Sequence, residues 1–470
     1  MRLTIDTDGP ARVEVRDAAD RMFQPDGALM DRTVGPWPEI PPYYQGHFVS
    51  TGVATLDLPP GKYVVIVEKG LEFERLEMSL NLDADRIVRV TPKRWADQAP
   101  AGWFSADFHV HRPVSDAATL LRAEDLHLGV FFTQWNDHNE WQQDGPPELA
   151  VDATHIATVT NAEDERGGGA WMLHNLAKPL PLGGNDWWYP QGRTFVDEAR
   201  SQGAWFDCEK PIWWEVPVMA AIAPFDSVGV LHNHYNQYGM NSNEAWGRPR
   251  DETAYPGDVG FSDYSLGLYY RLLNIGHQLP VTAGSASGVL PAPPGYNRVY
   301  VQPAGEFSVA NFYAGLRAGR SFATNGPLLS FTVDGKTMGD SLEIVPGRPV
   351  QAVVAATARE QIDRIEIVAN GEIIAQKSGT QLEAEISLDK FSWVAARCYL
   401  APGATVRLAH SSPVYVRDAR WNAAADNAYF LRWIDDLIAE TAADSQRFSD
   451  ADQRDEVLRI YQAARTRYLN

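Results

Sequence analysis

The chain has 470 residues, 44% of them hydrophobic and 22% charged, proportions that belong to a globular protein and exclude wholesale disorder. Its formal net charge of −20 is the opposite of the basic footprint that nucleic acid or an anionic membrane requires. No window approaches the roughly eighteen consecutive apolar residues of a spanning helix, and "MRLTIDTDGP" lacks a basic start followed by an apolar run, so neither a transmembrane helix nor a signal peptide is expected.

The expected setting is cytoplasmic, with a periplasmic or secreted one left open, and the expected partner is a small-molecule substrate, with a homo-oligomer left open. Cys208 and Cys398 lie too far apart in sequence for a zinc knuckle and are too few for a disulfide framework. Tryptophan is unevenly spread. Nine of the fifteen fall between Trp135 and Trp246, and indole faces suit pockets that grip sugars or aryl groups as well as they suit a core.

Residues 1–99 read as a β-sandwich. "ARVEVRD", "VATLDL" and "YVVIVEKG" alternate or run apolar at strand length, with a Pro-Gly turn in "LPPGKY". Residues 100–328 change rhythm. Short apolar runs ("LGVFFTQW", "IATVTNAE", "GAWFDCE", "SVGVLHNH") end in polar, metal-capable or aromatic residues. Between them stand helical stretches such as "SDAATLLRAEDLH", with Ser115 or Asp116 as N-cap, and "GRTFVDEARSQG". Apolar strand, polar strand end, then helix is the rhythm of an α/β barrel, whose strand C-termini carry the site. Strand patterns return over 329–417, with a hairpin at Asn370-Gly371, and form a second β-sandwich. Residues 418–470 hold two amphipathic helices that pack back onto the body. The expected fold class is thus α/β, a TIM-like barrel flanked by N- and C-terminal β-sandwich domains with a helical tail.

"DFHVH" closes the first barrel strand. Side chains two apart on a strand face the same way, so His109 and His111 can reach one ion together. His232 and His234 close a later run, "TNAEDERGGG" brings Glu163, Asp164 and Glu165 to another strand end, and "CEKP" places Glu209 at a further one. Imidazoles with a carboxylate are ligands of zinc, manganese or iron. His47, His127, His155, His277 and His410 are read as ordinary hydrogen-bonding histidines.

"DFHVHRPVSD" resembles the first motif of the polymerase-and-histidinol-phosphatase (PHP) family, in its carbaryl-hydrolase-like branch, and "EKPIWWEVPV", "NEAWGRPRD", "AGSASGVLPAPPGYNRVYV" and "GLRAGRSFATNGPLL" are similar to it too. The resemblance covers most of the chain. It implies a distorted (β/α) barrel, one to three metals at the strand C-termini, and metal-activated water attacking phosphate esters, carbamates or esters. His109 and His111 match the opening H-x-H, and Glu163 the single acidic ligand after the third strand. The chain then departs from the family pattern. With Thr133 aligned, Gln134 and Trp135 replace an Asp and a His, with Asn136 retained; sliding to Asp137-His138-Asn139 rescues the His at the cost of a four-residue strand shift. Ala286 and Gly288 stand where an Asp and a His ligand belong, and Glu209-Lys210-Pro211 replaces a His-Pro motif. His174 lies several residues past the next family His.

The reduced set is one divalent ion (zinc, manganese or iron) on His109, His111 and Glu163, with His234, ahead of His232, as the fourth ligand. Glu209 and Glu165 are the candidates for general base or acid, Glu209 being also a candidate ligand. Arg166 and Arg248 could clamp an anionic group of the substrate, and Trp135 and Asn136 line its place; for the two arginines and both glutamates, an ion pair holding loops together is the alternative. The expected activity is metal-dependent hydrolysis of an ester, carbamate or phosphoester in a small aryl- or sugar-containing substrate. The alternatives are a metal-dependent lyase acting on a sugar derivative and a non-catalytic glycan-binding protein.

Overall fold

The structure, a computed structural model, describes residues 1–30, 47–142, 145–290, 292–418 and 421–469. It is a mixed α/β molecule with large sheets and, among the described residues, seven α-helices. At the N-terminal side, Arg2–Asp6 lies between Val53–Asp57 and Arg86–Arg89 in a three-stranded sheet. A second sheet is centred on Ala11–Asp17 and Gly61–Glu68. Alternation decides which side chains go inward: Leu3 and Ile5 of the first sheet meet Val13, Val15, Val65 and Val67 of the second in one apolar cluster.

The central unit begins with Phe104–Val110, which runs parallel to Leu128–Trp135, itself parallel to Ile156–Arg166. Gly169–His174 folds back antiparallel on that third strand and pairs antiparallel with Trp205–Cys208. From there the parallel order resumes through Ser227–Leu231 to Val281–Ala283. A single parallel bridge, Val110 to Ser287, brings the segment after the last of these strands back against the first. The recorded ladders do not by themselves make a closed barrel. Strands buried on both faces read as continuous apolar runs, as Leu128–Trp135 does with every residue buried.

Helix α1 (Ala117–Ala123) connects the first two parallel strands. It is entered through the 3₁₀ turn Val114–Asp116, and neither Ser115 nor Asp116 makes the expected capping bond; the Ser115 hydroxyl donates to the Asp116 carboxylate instead. Helices α2 (Arg193–Ser201), α3 (Val216–Ile222) and α4 (Gly257–Asn274) follow between later strands, and α5 (Val309–Arg317) comes after Arg298–Val301.

In the C-terminal part, a four-stranded sheet packs on Ile362–Ala369 and Trp393–Leu400 around a second large apolar cluster. Asn370 and Gly371 both have positive φ, +47° and +88°, as a two-residue turn twisted with its strands demands. Ser321–Thr324 pairs with Leu408–Ser411, so one hydrogen-bonded sheet runs on across residue 328. Helices α6 (Ala424–Ala443) and α7 (Ala451–Arg467) return to the central unit, where Phe430, Trp433, Ile434, Leu437 and Tyr461 join its core. Each fully buried large apolar side chain contributes roughly 1.5–3 kcal/mol, so the tail is held firmly. No described helix is long and apolar enough to cross a membrane.

Candidate metal centre

The parallel strands deliver their polar residues at their C-terminal ends. His109 and Val110 finish the first, Trp135 the second, and Trp135 is in register with Glu163 on the third. Glu209 follows directly on Trp205–Cys208, and His232 on Ser227–Leu231. The site is built where strand geometry aims successive side chains at one another.

His109 Nε2 lies 2.8 Å from His111 Nε2 and 3.3 Å from Glu163 Oε2, and His111 Nε2 lies 2.8 Å from the same carboxylate oxygen. Two donors bonded to one ion at about 2.1 Å each cannot be more than roughly 4.2 Å apart, and these three meet that condition pairwise. Two imidazole nitrogens and a carboxylate oxygen converging in a buried spot are a donor set for a divalent transition metal. The group could hold a metal ion.

The surroundings fix this geometry. His109 Nδ1 faces Glu209 Oε1 at 3.1 Å, and Glu209 Oε2 faces Lys210 Nζ at 3.0 Å. The Lys210 ammonium stands 4.3 Å from the centre of the Trp213 ring and is buried. At the backbone level, Asp107 accepts the N–H of His109 at 3.0 Å and of Ser285 at 3.0 Å with one oxygen, and the N–H of Gly295 at 2.6 Å and the Ser285 hydroxyl with the other. The segment 284–288 thereby lies against the H-x-H strand, and two of its residues must be glycine. A Cβ on Gly284 would sit 2.5 Å from His109 Cβ; one on Gly288, at φ +102°, would sit 2.3 Å from the His111 carbonyl oxygen. Gly288 thus serves close backbone approach, while Ala286 between the two glycines is buried and takes a left-handed φ of +48°.

The electrostatics are those of a compact charged cluster. Burial opposes a charge on His109, but Glu163 and Glu209 outweigh it and hold the imidazole up at about 10. Burial likewise opposes charge on Glu163 and Glu209. His109 and His111 hold Glu163 down at about 2, and Lys210 with His109 does the same for Glu209. His111 is pushed down by burial. Glu165 is pushed up to about 8, by burial first and the neighbouring Glu163 charge second.

Trp135 and Asn136 both serve Glu165. Trp135 Nε1 donates to Glu165 Oε2 at 3.0 Å, while its ring lies 4.5 Å from that of His111. Asn136, at φ +48°, accepts the Glu165 N–H at 2.9 Å and donates to the Glu165 carbonyl at 2.7 Å, standing in for a strand neighbour. Gln134 is buried and bonds the Leu180 backbone with both ends of its amide.

Other sequence candidates are placed elsewhere. His234 is buried and feels the Lys210 charge, but the mutually close group of donor atoms contains only His109, His111 and Glu163. Arg166 is taken up by both oxygens of Asp164 and by the Asp186 carbonyl. Arg248 pairs with Asp436 of α6 at 2.9 Å and stacks over Trp433, so it anchors the tail. His138 is exposed beside Glu140. His174 is buried against Phe108, with its Nδ1 3.0 Å from the Tyr313 hydroxyl. Cys208 is buried and its thiol pushed well up by burial and by Asp207, the opposite of an activated nucleophile.

Of the nine clustered tryptophans, Trp171, Trp205 and Trp213 are core. Trp187 and Trp246 are 40% and 42% exposed and meet edge to face at 5.6 Å. The carbonyl of Trp187 accepts the Gly167 N–H at 2.8 Å, which sets this pair beside the hairpin that carries Glu163 and Glu165. Sequence reasoning gave no role to Asp107 or Lys210. A lone Asp inside an apolar strand, and a Lys directly following a strand-end Glu, were the available signals. No family model, curated protein or solved structure matches the chain.

Proposed function

We propose that this protein is a metal-dependent hydrolase, acting on an ester, carbamate or phosphoester bond of a small substrate with an aryl or sugar part. The convergence of His109, His111 and Glu163 on one point carries this reading. Those three residues would hold zinc, manganese or iron, which when bound supplies Lewis acidity toward water or a substrate oxygen. The resemblance to the PHP family supports the same reading, with the parallel strands then forming the wall of its distorted barrel.

The chain's own residues do the rest. Glu209, kept ionised by Lys210, orients the His109 ring from its far nitrogen. Glu165 lies two residues from Glu163 on the same strand, so both side chains face the same side. Burial first, and the Glu163 charge second, push the Glu165 carboxyl up to about 8 in the metal-free protein, and burial favours the same protonated form as a donor to a leaving-group oxygen that recovers its proton from water. Trp135 and Asn136 keep that carboxyl in place. Trp187 and Trp246 offer aromatic faces for an aryl or sugar moiety.

The test is elemental analysis of protein purified without chelator beside His109→Ala, followed by ester, carbamate and phosphoester screens in isotopically labelled water. About one equivalent of metal, lost in the variant, with solvent oxygen in the product, is the expected result. No uptake of zinc, manganese or iron by the parent protein would overturn it. Metal uptake with an unsaturated product free of solvent oxygen would replace hydrolysis by elimination.

A further inference from the structure

A cavity of about 360 Å³ lies where the N-terminal sheets, the central unit and the C-terminal sheets meet, away from the His109 group. Five arginines contribute to its wall: Arg12, Arg75, Arg298, Arg359 and Arg407. Three of them have carboxylate partners. Arg12 bonds Glu68 at 2.9 Å and Glu124 at 2.8 Å, Arg407 bonds Glu360 at 2.6 Å, and Arg75 bonds Glu77 at 2.6 Å.

The other two differ. Arg298 is 1% exposed and, among the described residues, donates only to the carbonyls of Gly295 and Glu124, with its Nη1 finding no acceptor there. Arg359 donates to the Phe73 carbonyl at 2.9 Å, its ion pair with Glu360 is stretched to 4.0 Å, and its Nε has no acceptor among the described residues. Thr405, buried in the same wall, has a hydroxyl without a partner among the described residues. A buried donor without an acceptor is costly, most of all on a charged group, so Arg298 Nη1, Arg359 Nε and the Thr405 hydroxyl beside one cavity suit an acceptor-rich guest.

We propose that this cavity binds a small, multiply charged oxyanion, a phosphate or a dicarboxylate, through Arg298, Arg359 and Thr405. Planar guanidinium groups match both kinds of oxyanion, and a volume of this order suits a small-molecule ligand. The local field agrees. Glu68 is held down at about 2 against its burial by Arg12, with Arg359 and Arg75 adding. Arg359 loses its proton more readily than an ordinary arginine, through burial and the charges of Arg407 and Arg12. Gly295 ties the wall to the metal group, because its N–H bonds the same Asp107 that receives the His109 N–H.

Isothermal titration and thermal melts with inorganic phosphate and with succinate, each against sodium chloride of equal ionic strength, test the site. Parent protein, His109→Ala, Arg359→Gln, Thr405→Val and the remote control Arg417→Gln are compared. The expected result is saturable binding of at least one anion in the parent, His109→Ala and Arg417→Gln, weakened on the order of ten-fold or more in Arg359→Gln and several-fold in Thr405→Val. Which anion binds tells the phosphate source from the carboxylate one. Absence of saturable binding by either anion overturns the proposal. So does binding that survives in both Arg359→Gln and Thr405→Val, or binding lost in His109→Ala, which would place the anion at the metal group. Should Arg359→Gln fail to fold, Thr405→Val decides alone.

Discussion

The indole of Trp135 donates its only hydrogen bond to the carboxyl group of Glu165, 3.0 Å away, from the end of one parallel strand to the end of the next. Trp135→Phe keeps the ring against His111 and removes only that donor. The expected outcome is a loss of about 1–3 kcal/mol in urea unfolding, the cost of one buried polar contact, with metal content unchanged. A variant that loses the metal as well would make Trp135 a support of the His111 ring, not of Glu165.

Metal uptake should displace a proton. His109 is held at about 10 in the metal-free protein, and an imidazole must be neutral to bind a metal, whereas Glu163, held at about 2, is already ionised. Affinity for zinc or manganese is therefore expected to rise with pH, up to about tenfold per unit through the neutral range, with close to one proton released at pH 7. Calorimetry in buffers of different ionisation enthalpy measures that proton directly. A pH-independent affinity would contradict the assignment of His109 as a ligand.

Glu209 touches the metal group only through His109 Nδ1. Glu209→Gln should preserve the one-to-one stoichiometry and weaken metal affinity about 10–100-fold, because the amide can still accept from His109 but no longer carries the charge of the carboxylate behind a ligating histidine. Competition with a chromogenic chelator gives the number, and loss of stoichiometric binding would mean that Glu209 itself ligates.

Gly284→Ala places a methyl 2.5 Å from His109 Cβ, with the opposing strand unable to retreat. We expect about 1–3 kcal/mol of destabilisation, with metal affinity lowered in the same variant. Gly267→Ala, where a Cβ meets nothing within 4 Å, is the control and should be neutral or slightly stabilising.

Acid sensitivity also has a source outside the His109–His111–Glu163 group. His410 is buried and neutral, accepting the Tyr270 hydroxyl and donating to the Ser411 carbonyl, each at 2.8 Å. Burial, with Arg397 adding, holds it down at about 3, while in the unfolded chain it returns to 6.5. The unfolded state thus binds the extra proton first. Stability from this group is fully present above 6.5 and falls by up to about 1.4 kcal/mol per unit as pH drops toward 3. His410→Gln should unfold more easily at pH 7 yet show a shallower acid limb in urea titrations between pH 7 and 4.

Much of the site's first layer was legible because strands have a period of two. His109 and His111, one residue apart at the end of an apolar run, face the same way wherever that run forms a strand. Glu163 needed the family pattern, since "EDER" alone reads as a solvated loop. What sequence could not give was the partner of each charge. Arg248 looked like an anchor for an anion, but its partner Asp436 is nearly two hundred residues away in a helix whose docking no local pattern specifies. Gln134 and Asn136 read as remnants of a ligand motif, and the structure has them bonding neighbouring backbone. Trp187 and Trp246 were two among nine until burial separated them from the core.

Tyr461 of α7 bonds Glu215, 246 residues earlier in the chain, and Glu215 also receives Gln191 from the loop beside the exposed tryptophans. On a ribosome, therefore, the central unit emerges long before the helices that fill its flank and meet its buried carboxylate. Until they arrive, the nascent chain carries an unfilled apolar flank. Productive folding of the central unit waits on the synthesis of α6 and α7, and a chain interrupted before them would present that apolar flank to chaperones with its parallel strands already made.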